Sequence, residues 1–116
     1  MDKAIAEMFG RGWVAAWNNH DIDRVMAHYT GDFEMASPVI QTLAKEPAGT
    51  LKGKDVIKAY WSKALDKYPD LYFEFLQAFA GVDSVLVYYR GHRGLSAEVF
   101  HFNNVGKVYK AYAHYE

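Results

Sequence analysis

Cysteine is absent from the 116 residues of this sequence. Without a thiol, the chain cannot form disulfide bonds, use a thiolate nucleophile or bind zinc through sulfur ligands. Long hydrophobic runs are also missing: no stretch approaches the ~20 apolar residues of a membrane span, and residues 1–10 lack the apolar core of a signal peptide. We therefore expect a cytoplasmic protein that does not enter a membrane.

An excess of charge of one sign is missing as well. Lysine and arginine number 13, aspartate and glutamate number 14, and the two signs are interspersed along the chain. Because no basic stripe is available to contact phosphates, we expect no nucleic-acid partner. The five histidines show no paired spacing on one helix, and no glycine-rich phosphate loop occurs. We therefore expect neither a metal nor a cofactor.

Aromatic residues, in contrast, are abundant. They make up 16 % of the chain (7 Phe, 9 Tyr and 3 Trp) within a hydrophobic fraction of 51 %. A sequence of this length without internal repeats supports one hydrophobic core, so we expect a single domain spanning residues 1–116. So many large rings in a small chain need a structural explanation.

The first half of the chain has mostly helical periodicity. Residues 5–17 carry one apolar stripe with i, i+3, i+4 spacing, and a shorter helix follows over residues 21–31. Residues 33–37 alternate as a strand that Pro38 ends. Residues 39–52 form a long connection of the kind that often acts as a lid, and a third helix begins near Lys54.

In the second half the periodicity changes from 3.6 to 2. Four strand-like runs cover residues 71–80, 85–90, 95–103 and 107–115, and the turns between them are short. Short turns favour antiparallel neighbours. Segregated helices and strands predict an α+β fold in which three N-terminal helices pack in a strongly bent, mostly antiparallel sheet.

Pairing in the last hairpin predicts which side chains face inward. If Asn103 pairs with Gly106, Glu98 lies opposite Ala111 and Phe100 opposite Tyr109, and a slip of one residue would exchange the two faces. The small alanines near the glutamate leave space instead of a filled core. This inward face carries Ser96, Glu98, Phe100, Phe102, Tyr109, Ala111, Ala113 and Tyr115.

The opposite face of this sheet is also apolar or aromatic, although a solvated face would be polar. A second copy of the chain is the simplest cover for it, so we expect a homodimer. The residues expected there include Tyr88, Val99, His101, Tyr112 and His114.

The hairpin over residues 71–90 allows two registers. Either Phe73, Phe75 and Phe79 face inward, or Glu74 does. Burial favours the phenylalanines.

Four segments carry a further signal: residues 13–23 (WVAAWNNHDID), residues 29–33 (YTGDF) in front of Ser37-Pro38, residues 53–57 (GKDVI) and residues 100–108 (FHFNNVGKV). In this order and spacing they resemble the nuclear transport factor 2-like superfamily, in its SnoaL-like and ketosteroid-isomerase-like branch. The resemblance covers nearly the whole chain. It implies a cone-shaped barrel with a deep apolar pocket that is usually dimeric. Because the superfamily includes both enzymes and non-enzymatic binding proteins, the fold does not decide the function.

The steroid isomerases of this superfamily use three positions, and the resemblance places Trp13, Ser37 and Glu98 at them. The family has an oxyanion-hole tyrosine, a base aspartate before a proline, and a protonated aspartate. An indole N–H donates a hydrogen bond but lacks the acidity of a phenol, and a serine without a partner base cannot take a proton from carbon. Steroid isomerisation by the familial mechanism is therefore not expected.

Glu98 is the candidate catalytic residue. Burial among apolar neighbours would raise its pKa, which suits a general acid or a neutral hydrogen-bond donor. The alternative is that Glu98 lies at an exposed edge of the sheet or pairs with Arg90 or Arg93.

A pocket for a flat apolar ligand is the second expectation, although the helical spacing of the tryptophans fits ordinary core packing equally well. The residues expected on its wall are Trp13, Trp17, Tyr29, Phe33, Met35, Ser37, Trp61, Phe100 and Tyr115.

Three functions fit these observations. The loss of the familial base favours a protein that binds a small hydrophobic metabolite without catalysis. The retained carboxyl favours a cofactor-independent isomerase or cyclase-type enzyme that uses Glu98 on a carbonyl or polycyclic substrate. A dimeric scaffold with a filled core is the third.

Overall fold

The computed structural model describes residues 1–116 and contains four helices and six strands. The predicted α+β class is confirmed, with one helix and one strand more than expected. In chain order the elements are α1 (Lys3–Asn18), α2 (Ile22–Met26), β1 (Tyr29–Ala36), α3 (Pro38–Leu43), β2 (Thr50–Lys52), α4 (Lys54–Lys67), β3 (Glu74–Ala80), β4 (Ser84–Gly91), β5 (Gly94–Phe102) and β6 (Val108–Tyr115). None of the helices has the length and apolarity that crossing a bilayer requires.

The six strands form one curled sheet in the order β2-β1-β6-β5-β4-β3. All neighbours are antiparallel except β1 and β6, which run parallel. Helix α1 packs on β3, and Gly10 permits the close approach: a Cβ at this position would lie 2.8 Å from Cε1 of Phe75. The sheet therefore wraps around α1 with its concave face, and the convex face of the sheet is uncovered in the single chain.

The predicted stripe of α1 is wrong in its first two turns. Ile5 and Met8 are 49 % and 70 % exposed, whereas Ala6 and Gly10 are buried. Small side chains bring the start of α1 close to the sheet, so Ile5 and Met8 point outward, whereas Phe9 packs against the core as expected. From Trp13 onward the predicted stripe is buried as expected.

Residues 39–52 are more ordered than the expected connection, since they contain most of α3 and all of β2. Ser37 caps α3, because its Oγ accepts a hydrogen bond from the Val39 N–H at 3.1 Å. Pro38 then occupies the first turn, where its fixed φ angle and missing N–H cost nothing. Ile40 is fully buried and holds the short helix against the core.

The register of β5 and β6 differs by two residues from the expected one: Glu98 lies opposite Ala113, and Phe100 opposite Ala111. The turn between β5 and β6 is longer than the expected one, and Asn103 holds it together. The Asn103 N–H donates to the Lys107 carbonyl at 2.8 Å, and the Asn103 Oδ1 accepts from the Lys107 N–H. A shift of two keeps every side chain of the regular ladder on its expected face.

A bulge at the start of β6 corrects the expected position of Tyr109. The register shifts between His101 and Phe102, so Val108 is buried, whereas Tyr109 is 44 % exposed. Tyr109 therefore does not belong to the inward face.

The hairpin of β3 and β4 has the register that burial favours, but only in its first part. Phe73 and Phe75 pack against the core, and Glu74 lies outside, where its Oε1 is 3.4 Å from Nε of Arg90. A bulge between Phe75 and Gln77 then reverses the alternation. Phe79 is consequently 54 % exposed, and its expected inward position is wrong.

The outer face of the sheet carries the residues that the dimer prediction named. Tyr88, Val99, His101 and Tyr112 are half-buried and His114 is exposed. Val99 lies opposite Tyr112, and the His101 ring meets the Tyr112 ring edge-on at 5.7 Å between centroids. The pairing of two copies through this face stays a prediction.

Candidate functional site

A cavity of about 120 Å³ lies between α1, α3, α4 and the concave face of the sheet. Aromatic side chains from α1, from α4 and its C-cap, from the segment before β3, and from β4 and β6 make up much of its wall. They are Trp13, Trp17, Tyr60, Trp61, Tyr68, Phe73, Tyr89 and Tyr115.

The structure brings most of the sequence-predicted site residues onto this wall. Glu98 lines the cavity together with Trp13, Trp17, Met35, Ser37, Trp61 and Tyr115. Tyr29, Phe33 and Phe100 are at most 2 % exposed and lie in the packed core, outside the cavity lining.

Glu98 is the buried carboxyl of this wall. It is 3 % exposed, and its Oε2 has no hydrogen-bond partner. Loss of solvent raises the pKa of Glu98 to about 8, because burial disfavours the charged form. Glu98 is neither at an exposed edge nor paired with Arg90 or Arg93, so both forms of the predicted alternative are wrong. The side chain is therefore mostly a neutral carboxylic acid at pH 7, able to donate one hydrogen bond.

The two tryptophans of α1 differ in their hydrogen bonding. The Trp13 Nε1–H donates to the Tyr29 hydroxyl at 3.0 Å, whereas Nε1 of Trp17 is buried without a partner. A buried polar atom without a partner costs about 1–3 kcal/mol. Trp17 and Glu98 thus contribute two unused polar groups to one apolar cavity.

The phenols around Glu98 remain neutral near physiological pH. Burial raises the pKa of Tyr115 to about 12, and the charge that Glu98 would carry when ionised adds to the effect. The same two causes, burial first, raise the pKa of Tyr29 and of Tyr89. Among the buried groups of the site, Glu98 alone changes charge close to neutral pH.

Sequence reasoning missed several residues of the site. Tyr60 lies in α4 and Tyr68 directly follows it, and both continue the apolar periodicity of that helix, but their place on a cavity wall was not visible in the sequence. Val39 and Leu43 reach the wall only because α3 forms. Arg93 lies in the turn between β4 and β5 and had no signal beyond its charge.

Arg93 marks the mouth of the cavity. A wider, more polar depression of about 680 Å³ adjoins the cavity, and both are lined by Tyr68, His92, Arg93 and Tyr115. Glu116 also lines the depression. The site therefore changes from aromatic inside to charged at its mouth.

The side chains present support neither a metal site nor a catalytic role for Ser37. No group of three or more metal-binding side chains is placed to hold an ion. The Ser37 Oγ accepts a hydrogen bond from the Val39 N–H and has no base beside it among its hydrogen-bond partners. Its observed part in the fold is to cap α3.

Comparisons with known proteins agree with this architecture. Residues 11–112 match the family model described as SnoaL-like domain. A SnoaL-like protein of unknown function from Burkholderia thailandensis is 50 % identical in sequence, with a TM-score of 0.96 over 99 % of this chain and 97 % of that one. No curated protein matches.

More distant solved structures share the fold. A cystatin-fold protein from Novosphingobium aromaticivorans has 17 % identity and a TM-score of 0.70 over 90 % of this chain and 92 % of its own. The epoxide hydrolase/cyclase-like enzyme SalBIII, of pyran ring formation in the polyether salinomycin, has 16 % identity and a TM-score of 0.77 over 99 % and 93 %.

Proposed function

Because this chain belongs to the SnoaL-like domain family, we propose that its cavity binds a small, largely apolar molecule that carries a carbonyl or hydroxyl oxygen. One observation carries the proposal: two buried polar atoms, Oε2 of Glu98 and Nε1 of Trp17, have no partner on the wall of an aromatic cavity. Buried polar groups are normally hydrogen-bonded, so unused ones in a cavity favour a ligand that completes them.

The cavity volume limits the size of this ligand. About 120 Å³ is slightly less than the ~150 Å³ of an engineered apolar cavity that binds benzene. One six-membered ring is therefore the amount of apolar material that fits inside. The polycyclic substrate considered from the sequence would have to extend through the mouth into the adjoining depression.

The chemistry of the two unused groups indicates an oxygen acceptor. The indole N–H of Trp17 can only donate, and the neutral Glu98 carboxyl offers one O–H donor. A carbonyl or hydroxyl oxygen could accept from either group. Each completed hydrogen bond removes an unsatisfied donor, which a plain hydrocarbon ligand would leave in place.

A cavity-filling substitution tests the binding. In Ala64→Phe the added ring occupies space at the cavity wall, so we expect phenol and cyclohexanone to bind the wild type and to bind this variant at least tenfold more weakly. Isothermal titration calorimetry measures both affinities. Ala59→Phe is the matched control, because Ala59 lies on the same helix and is exposed. The proposal would be contradicted if neither phenol nor cyclohexanone bound the wild type, or if Ala64→Phe and Ala59→Phe bound them equally well.

The raised pKa of Glu98 supports a second candidate function, acid–base catalysis on a carbonyl compound. With a pKa of about 8, a minor carboxylate fraction at pH 7 can take a proton from the carbon next to a carbonyl, leaving an enolate. The carboxylic acid so formed returns the proton to the same carbon, which restores the ketone, or, in an unsaturated ketone, to a conjugated carbon, which moves the carbon–carbon double bond. In both cases Glu98 is a carboxylate again at the end of the cycle. SalBIII supports only the fold, since it shares 16 % of its sequence with this chain.

Deuterium exchange separates the two functions. If Glu98 acts as a base, cyclohexanone in D₂O will gain deuterium next to its carbonyl faster with the wild type than with Glu98→Gln, by about 100-fold or more. Nuclear magnetic resonance follows the loss of the proton signal. Equal rates for both proteins, together with binding of the ketone, would leave binding without catalysis as the function.

A further inference from the structure

The mouth of the cavity carries a positive charge without an ion-pair partner. Arg93 lines both the cavity and the adjoining depression and is exposed. The four ion pairs of the protein involve Arg11, Lys58, Arg90 and Lys110 as their basic partners. The Arg93 guanidinium, with its planar set of donors, is therefore free at the entrance of an otherwise aromatic site.

The neighbouring charged and polar groups leave this role to Arg93. Glu116 lines the depression, but its Oε1 accepts a hydrogen bond from the Leu95 N–H at 2.8 Å. His92 packs against the Tyr68 ring at 4.4 Å between centroids. The guanidinium is close enough to two phenols of the cavity wall to act on them: burial raises the pKa of Tyr60 and of Tyr115, and the Arg93 charge opposes that rise.

We propose that the ligand is a monocyclic carboxylic acid whose ring enters the aromatic cavity and whose carboxylate stays at the mouth against Arg93. This inference rests on the proposed function and narrows it to one class of ligand. A ring of six carbons accounts for the volume of the cavity, an oxygen substituent on that ring would accept from the unused groups of Trp17 and Glu98, and the carboxylate would stay partly hydrated at the exposed mouth. Carboxylate and guanidinium match each other in a bidentate pair.

A positively charged ligand is disfavoured by Arg93 and Trp17. Aromatic walls do bind quaternary ammonium ions through cation–π contacts. A cation here would leave the Trp17 N–H unsatisfied, because a cation offers no acceptor, and it would pass a guanidinium at the entrance. The Glu116 carboxylate lines only the outer depression, whereas Arg93 lines the cavity as well. The guanidinium next to the cavity and the unmade hydrogen bond inside it both favour the anion.

Three probes with one ring each test the inference by isothermal titration calorimetry: 4-hydroxybenzoate, its methyl ester and benzyltrimethylammonium. We expect the acid to bind the wild type more tightly than the ester by about fivefold to tenfold at low salt, since the pair with Arg93 is partly exposed. Arg93→Gln should remove this preference and leave the affinity for the ester within twofold. Arg90→Gln, on the same hairpin but paired with Glu74, is the matched control and should change neither affinity.

The salt dependence of this preference is a second readout. A substitution that only altered the shape of the cavity mouth would not change it. The preference for the acid should shrink as sodium chloride rises from 20 mM to about 1 M, because exposed charges are screened. In Arg93→Gln the affinities should not depend on salt.

The failures of the two proposals are distinguishable. If the ester and phenol bind but the acid gains nothing over the ester, or if Arg93→Gln keeps the preference, the inference about Arg93 is wrong while the proposed function stands. Tighter binding of benzyltrimethylammonium than of the acid would also overturn the inference, in favour of an aromatic cation site. If no probe binds, the proposed function itself fails.

Discussion

Glu98→Gln will become more stable relative to the wild type as the pH rises, by about 3 kcal/mol between pH 5 and pH 7. In the folded protein the pKa of Glu98 is raised to about 8, from an ordinary value of 4.5. Between these two values the unfolded chain releases the proton and the folded chain keeps it, so each pH unit lowers the free energy of unfolding of the wild type by about 1.4 kcal/mol. Glutamine does not titrate, so the variant escapes this loss.

The sign and the range of the effect follow from the two pKa values. Below about pH 4.5 both states are protonated and Glu98 adds no dependence on pH, and above about pH 8 both are ionised and the loss levels off. His28 acts in the opposite direction: burial, then the charges of Lys107 and Arg24, lower its pKa, so its contribution to stability is lost as the pH falls. For this reason the difference between variant and wild type is the quantity to compare, not the profile of the wild type alone.

Urea unfolding followed by circular dichroism at several pH values measures this difference. Glu74→Gln is the matched control, because Glu74 is exposed on β3 and its replacement should give a difference that is nearly constant over the same range. If the difference for Glu98→Gln were also constant, Glu98 would have an ordinary pKa in the folded protein, and its assignment as a neutral donor would be wrong.

Phe100→Ala is expected to destabilise the protein by about 3–5 kcal/mol, the usual cost of removing a fully buried phenyl ring. Phe100 is 0 % exposed, and its ring lies 4.8 Å from that of Phe9 and 5.1 Å from that of Trp13, both edge-on. The substitution removes these contacts and leaves a void that close packing prevents the neighbours from filling. Such a loss is a large part of the total stability of a small domain.

Phe79→Ala is the control for this prediction, because the same change of side chain occurs at a position that is 54 % exposed. Its cost should be within about 0.5 kcal/mol, as for other surface substitutions. Chemical unfolding curves for the two variants measure the free energies directly. If Phe79→Ala and Phe100→Ala lost similar amounts of stability, the inward and outward positions assigned to these side chains on β3 and β5 would be wrong.

The order of the two halves of the fold could be predicted from periodicity, because burial on one side of a helix or strand leaves a repeat in the sequence. The same logic placed Glu98 and Phe100 on the inward face, and an error of two residues in the register left both there. Periodicity failed where the backbone departs from a regular repeat. The bulge after Phe75 moved Phe79 outward, and the close packing at Gly10 moved Ile5 and Met8 outward.

The high aromatic content was the strongest hint of the site, and the family resemblance sharpened it, yet neither could separate wall from core. Trp13, Trp17 and Trp61 line the cavity, whereas Phe33 and Phe100 fill space beside it. All of them are buried rings, so a pattern of burial looks the same for both groups.

Side-chain type and spacing thus determine the fold class, most faces of the elements and the buried carboxyl of this protein, since these depend on local alternation of polar and apolar residues. The size of the cavity, the missing partners of Trp17 and Glu98 and the place of Arg93 at its mouth depend on the tertiary structure. The physical reason is distance along the chain: α1, β5 and the turn before β5 meet only after the sheet has curled around the helix. A volume of one ring is the space that these elements leave, and no repeat in the sequence records it.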